Sequence, residues 1–427
     1  MEAEQAILIQ NAEVASESSR ELQAQDVLIE GGVILQVGQG LKVPAGATVI
    51  DAGGKILLPG MFDMHVHLRE PGRSDQESIK SGTEAAINGG VTGVVAMPNC
   101  SPAIDNGGMV RTVLDIAKRD SRIPVFSMGC ITKNRDGEEM AGIAGMVEAG
   151  AVMITDNGDP VCNPQMLRHA MEYAREFDLP VASHCETREL SGKGAINEGR
   201  ISYKLGIPGI PSMSEEICMA RDIRVGQFTG CHIHIQCVTT ARGVDTIRRY
   251  KEEGVRLTCE VAPHHLIFNE EDIVDYDTNF KVNPPLRTAE DNEALLQGLS
   301  DGVIDVIASD HAPHTEFEKQ QQDFVSAPFG ITGLETALPS LYHHFIATGK
   351  FGWDVLVKRY SAEPRRLLKM KAIEIAEGGA ADLVLFDPKG ETTFTREFMK
   401  SKGANTPFLD KMLKGRVEIV IVGGVVM

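Results

Sequence analysis

The sequence predicts an α/β fold: a TIM-type (β/α)8 barrel clasped by a small β-sandwich domain built from both ends of the chain. Three observations predict it. Between residues 58 and 370, apolar runs of strand length alternate with segments of helical period. Residues 1–57 and 371–427 read as strands joined by turns, and neither end holds enough apolar surface to stand alone. The polar residues able to do chemistry fall at or just past the C-terminal ends of the predicted barrel strands, the face where barrel enzymes keep their sites.

Taken in order, the chain opens on the acidic run Met1-Glu2-Ala3-Glu4-Gln5, which lacks the basic start and long apolar stretch of a secretory leader. Strands are predicted over 6–9, 27–30 and 33–37, with Gly31-Gly32 as a hairpin turn. Eight barrel strands follow at 61–68, 93–97, 124–128, 152–155, 180–183, 232–236, 256–261 and 304–309. Stretches of helical period at 165–177, 215–227, 243–253 and 289–299 separate several of them. Alternation of this kind implies parallel βαβ units, and eight strands are enough to close a barrel. Strands at 381–386 and 417–422 complete the second β-rich end.

The chain has 427 residues, 42% of them hydrophobic, and a formal net charge of −18, which argues against nucleic acid or an anionic membrane as its main partner. Eight cysteines without a CxxC pair read as reduced, intracellular thiols. No apolar run is long enough to span a bilayer, so the expected compartment is the cytoplasm.

The chemistry starts at Asp63-Met64-His65-Val66-His67-Leu68-Arg69-Glu70-Pro71-Gly72. In a strand, side chains two apart share a face, so His65 and His67 form a two-toothed clamp of imidazoles suited to zinc. Ser309-Asp310-His311-Ala312-Pro313-His314 ends the last strand, across the barrel from the clamp. There Asp310 can serve as both metal ligand and proton carrier. Zinc lowers the pKa of a bound water to about 7, so the combination points to metal-assisted hydrolysis of an amide-like bond.

These segments, with Met97-Pro98-Asn99 and Lys281-Val282-Asn283-Pro284-Pro285-Leu286-Arg287, resemble the long bacterial class of dihydroorotases within the amidohydrolase superfamily. The resemblance runs over nearly the whole chain. It implies a zinc-dependent, reversible cyclisation of N-carbamoyl-L-aspartate to L-dihydroorotate in pyrimidine (UMP) synthesis. It further implies that His67, Arg69, Asn99 and His314 bind substrate, the last three gripping its carboxylate, while Asn283 bonds the ring and Phe329-Gly330 lie over it. The polar segment 315–328 is a candidate lid. A homodimer is the expected assembly.

Two positions depart from that family. Many relatives bridge two metals with the second acid of Thr-Asp-Asp-Gly, where this chain has Thr155-Asp156-Asn157-Gly158. Of two further histidines, His184 is kept, and Cys237 stands where the family has the other. Two dications repel unless an anion lies between them, so one metal held by His65, His67 and Asp310 is expected, and no stable binuclear centre. Cys237 has two readings: a thiolate ligand, with His184 or near the first metal, or a buried small hydrophobe. Asp156 turned inward is a further substitute ligand. The changes also leave open a non-catalytic structural partner of aspartate carbamoyltransferase, and a hydantoinase or allantoinase as a minor alternative. The latter usually bridge their metals with a carboxylated lysine, and no lysine lies near the end of the fourth barrel strand.

Overall fold

A computed structural model describes residues 6–427; the run Met1-Glu2-Ala3-Glu4-Gln5 lies outside the described residues. The N-terminal strands are β1 (Ile7–Ser16), β2 (Ser19–Glu30), β3 (Val33–Gly38), β4 (Thr48–Asp51) and β5 (Ile56–Pro59). Gly31 and Gly32 both have positive φ, 57° and 76°, which is the backbone of a two-residue hairpin turn and sets Glu30 opposite Val33.

The barrel strands are β6 (Met61–Val66), β7 (Val91–Ala96), β8 (Val125–Gly129), β9 (Ala151–Ile154) and β10 (Val181–His184). After a two-strand ladder of β11 (Ile196–Asn197) and β12 (Gly209–Ile210) come β13 (Ile233–Gln236), β14 (Leu257–Val261) and β15 (Val306–Ile307). At the C-terminal end are β16 (Leu383–Thr393), β17 (Met412–Val422) and β18 (Val425–Val426).

Both ends meet in one branched sheet, ordered β18-β17-β16-β5-β1-β2-β3, with β4 also paired to β1. Its core draws on both, with Ile7, Ile9, Val27 and Ile29 packed with Leu383, Leu385 and Ile421. The predicted strand 27–30 is the end of a longer one, whose buried residues, 26–29, nearly coincide with it.

The barrel strands run in sequence order from β6 to β15, with parallel pairing between neighbours. The ring closes where His67 N–H donates to the His311 carbonyl at 2.9 Å. Asp63 reinforces the seam: its buried carboxylate accepts from Ser309 N–H, at 3.1 and 3.0 Å, and from the Tyr360 hydroxyl at 2.9 Å. The last strand is therefore shorter than the predicted 304–309, since a side chain takes the Ser309 N–H that a ladder would use.

The helix Ser212–Thr229 begins directly after Pro211 and stops at Gly230, whose φ is +69°. The segment 315–328 holds a short helix, Glu316–Gln320, capped by Thr315. Buried Lys319 donates from it to the carbonyls of Thr278 and Lys281, and Lys281 Nζ donates to Val325 and Ala327. The candidate lid segment is thus tied down by two lysines. Among the described residues, no helix is long and apolar enough to cross a membrane.

Candidate active site

Strand alternation delivers His65 and His67 to one side of β6, and their rings lie 5.4 Å apart. From the last strand, Asp310 Oδ1 comes to 3.2 Å from His65 Nε2 and 3.3 Å from His67 Nε2. Each imidazole is oriented from its far edge. His67 Nδ1 donates to Asn99 Oδ1 at 2.8 Å, and His65 Nδ1 donates to the Glu260 carboxylate. With those hydrogens committed, the two Nε2 lone pairs and a carboxylate oxygen face one another.

Three lone pairs in that arrangement repel unless a cation lies among them. The residues therefore fit a metal, and without one they hold a proton. Burial works against a charged His65, but the carboxylates of Glu260 and Asp310 outweigh it and raise its pKa to about 9. His67, where burial prevails, is pushed down to about 4. Burial also resists the Asp310 anion, but the neighbouring imidazoles, His65 first, hold its carboxyl well below the usual carboxylate range.

Arg69, Cys237 and Asp310 all take positive φ, at 57°, 50° and 47°. Such backbone strain in non-glycine residues clusters at functional sites, and at Arg69 and Asp310 it goes with side chains that line one space. That space is a cavity of about 190 Å³ lined by His67, Arg69, Asn99, Asn157, His184, Asn283, Asp310, His314, Phe329 and Gly330.

On another wall of the cavity, His314 Nε2 donates to the Phe329 carbonyl at 2.8 Å while its Nδ1 accepts from Gln76 at 3.0 Å. Burial and the nearby Arg69 push its pKa down to about 3, so it stays neutral. Arg69 Nε donates to the Pro313 carbonyl at 3.3 Å and its Nη2 lies 3.4 Å from His314 Nε2, which leaves most donors of its guanidinium fork free. Asn283 Nδ2 donates to Glu186 at 3.0 Å. Gly330 has to be glycine: a Cβ there would meet the Ala312 carbonyl at 2.8 Å, at a φ of +143°.

Asn157 Nδ2 stands 3.1 Å from His65 Nε2 and 3.3 Å from Gln236 Oε1. His184 lines the cavity, but its Nε2 turns to the Asn283 carbonyl at 3.2 Å, and its buried Nδ1 has no partner. Cys237 does not line the cavity. Its Sγ lies 3.7 Å from His65 Nδ1 and 3.9 Å from Glu260 Oε1. Burial, with Asp310 and Glu260 nearby, drives its pKa well above the ordinary thiol value. The pairing of Cys237 with His184 is corrected by geometry: among the described residues, no group of three donors within 4.8 Å contains both. The set within 4.8 Å is instead His65, Cys237 and Asp310. Asp156 is corrected too, because its carboxylate is held away from the site by Ile131 N–H at 2.8 Å and by the Thr132 backbone and hydroxyl.

Glu260 is the functional residue that motif reading missed. It also accepts from His234 Nε2 at 3.2 Å, and its two imidazole partners overcome burial to hold its pKa at about 2. The available signal was a lone acid inside an otherwise uncharged buried strand. His264, which the sequence places at a strand's C-terminal end without a role, is buried near Asp310 and His65 with an unpartnered Nε2.

A family model described as dihydro-orotase-like matches residues 54–242. A dihydroorotase from Pelobacter propionicus is 42% identical across 98% of this chain and 98% of its own length. Another, from Caldanaerobacter subterraneus subsp. tengcongensis, is 45% identical across 93% and 92%. Among solved structures, the L-hydantoinase (dihydropyrimidinase) of Arthrobacter aurescens superimposes with a TM-score of 0.87 at 23% identity, covering 98% of this chain and 95% of that one. The dihydropyrimidinase of Brevibacillus agri gives 0.84 at 24%, covering 99% and 95%. The structural likeness shows the fold, and the sequence identity over almost the whole chain shows the lineage: this protein is a cyclic amide hydrolase that belongs to the dihydroorotase family.

Proposed function

We propose that the protein is a dihydroorotase with one catalytic zinc, interconverting N-carbamoyl-L-aspartate and L-dihydroorotate as a step of pyrimidine synthesis in the cytoplasm. The observation that carries this reading is the meeting of His65 Nε2, His67 Nε2 and Asp310 Oδ1, each imidazole locked from behind. Two imidazoles and a carboxylate are a zinc ligand set that leaves a position open. Bound there, the ion supplies Lewis acidity at the scissile carbonyl and makes water more acidic.

The rest is done by the chain itself. Arg69 presents its fork to the substrate carboxylate, with Asn99 and neutral His314 as further polar groups on the cavity wall. Asn283 and the Phe329-Gly330 backbone are placed to fix the ring. In ring opening, water adds to the ring amide carbon as Asp310 accepts its proton. Asp310 then delivers that proton to the leaving ring nitrogen as the C–N bond breaks. Cyclisation runs the same transfers backwards.

The alternative, a non-catalytic partner of aspartate carbamoyltransferase, has Asn157 and Cys237 in its favour, but it leaves the aligned imidazoles and the free Arg69 fork without a use. L-dihydroorotate ring opening by the zinc-replenished protein tests the choice. Turnover supports the enzyme reading; inert, folded, zinc-loaded protein overturns it.

A further inference from the structure

His314 borders two cavities. Besides the substrate cavity, it lines a second one, of about 280 Å³, between the lid segment and the chain near residues 396–409. Lys319, Arg396 and Lys402 converge on this space, against one acid, Glu316. That balance is unusual in a chain of net charge −18.

None of the three cations meets a carboxylate within ion-pair distance among the described residues. Their side chains donate to main-chain carbonyls: Lys319 to Thr278 and Lys281, Arg396 to Met399, Ser401 and Lys402, and Lys402 to Ser74. An ammonium has three N–H donors and a guanidinium five, so each retains donors that carbonyls do not consume. Lys319 is 1% exposed, and burial with Lys281 nearby brings its pKa down to about 7. A cation in that state gains most from an incoming anion. The side-chain oxygen of Asn279, also on this wall, is buried and has no hydrogen-bond partner. Turned over, that amide offers an N–H to the cavity.

We propose that this second cavity is a binding site for a phosphate-class oxyanion, distinct from the substrate site. Its dimensions admit phosphate or a small phosphate ester, and its donors come from the lid segment and from residues 396–402 together, so the anion ties those segments to each other. Asn405 links the two cavities. Its Oδ1 accepts from His314 N–H at 3.0 Å, and its Nδ2 donates to the Ala312 and Gly330 carbonyls, both at 3.0 Å. Occupancy is thereby transmitted to the wall of the substrate cavity. The site itself does not depend on the reaction proposed above, because its test reads binding.

The test is calorimetric titration of the full-length, metal-loaded protein with inorganic phosphate, against chloride at matched ionic strength. The expected result is one saturable phosphate per chain. Lys402→Gln should weaken it at least about tenfold, the loss expected for one charge-assisted contact. Gln320→Glu, an exposed change that adds a repelling charge and removes no structural contact, should do the same. Both variants should keep the KM for L-dihydroorotate in phosphate-free buffer. Tighter binding of glycerol 3-phosphate identifies an ester as the ligand, and weaker binding identifies free phosphate. The proposal is overturned if phosphate shows no saturable binding beyond chloride. It is equally overturned if phosphate competes with L-dihydroorotate and is lost in Arg69→Ala but kept in Lys402→Gln.

Discussion

Asn157 Nδ2 stands 3.1 Å from His65 Nε2, the same ring atom that faces Asp310 Oδ1 at 3.2 Å. A neutral amide thus occupies the place from which a bridging carboxylate would reach a second ion. Two dications about 4 Å apart repel by roughly 16 kcal/mol at an effective dielectric constant of about 20. An amide dipole does not offset that. The protein should therefore hold about one zinc per chain, and Asn157→Asp combined with Cys237→His should raise this towards two. Metal analysis after dialysis measures it, and unchanged stoichiometry in the double variant refutes the account of the missing ligands.

Glu260 fixes the His65 tautomer from behind, and the metal should feel its loss without any contact between the two. Glu260→Gln is expected to weaken zinc binding by about 10- to 100-fold, the usual cost of removing a partner that orients a ligand. Chelator competition gives the affinity directly. Wild-type affinity in the variant would show that His65 needs no orienting carboxylate.

The pH dependence of stability should differ between metal-free and metal-loaded protein. In the metal-free form the folded pKa of His65, about 9, lies above its ordinary 6.5. The charged imidazole between its carboxylates therefore stabilises the fold fully below about pH 6.5 and loses that contribution as pH rises through 9. The total is on the order of 3 kcal/mol. With metal on Nε2 the proton is already displaced, so the dependence should vanish. Urea midpoints at pH 6 and pH 10 check this, and equal pH slopes in both forms would contradict it.

Arg69 should act on substrate binding through its charge and its planar fork together. Arg69→Lys keeps the charge and loses the paired donors, so kcat/KM should fall by about 10- to 150-fold, as for a charge-assisted bond of roughly 1.5–3 kcal/mol. Arg69→Ala should fall further. Equal activity of the lysine variant and the wild type would remove the fork from the argument.

Much of this architecture was legible in the residues because it rests on short-range pattern. The Gly31-Gly32 turn, the alternation that pairs His65 with His67, and the strand ends that carry Asn99, His184 and Asp310 all follow from period and turn chemistry. The cavity unites Arg69, Asn99, Asn283, His314 and Phe329. What the sequence hid depends on distant partners. Glu260 lies 195 residues from the His65 it orients, and nothing local reports that pairing. Asp63 shortens the last strand by bonding Ser309 across the closing seam, and segment 315–328 is tied down by Lys281 and Lys319 through carbonyls 38 to 46 residues away. Cys237 resisted reading for a related reason, since burial and the carboxylates of Asp310 and Glu260, distant in sequence, raise its pKa.

The central claim is that one metal site built on His65, His67 and Asp310 performs the chemistry. Its most direct test is L-dihydroorotate ring opening, followed by ultraviolet absorbance, in zinc-replenished wild type and in Asp310→Ala, with folding and metal content measured on the same samples. The account predicts turnover in a wild type carrying about one zinc and none above background in folded Asp310→Ala. Near-normal turnover in Asp310→Ala, or an inert wild type that holds its zinc, would contradict it.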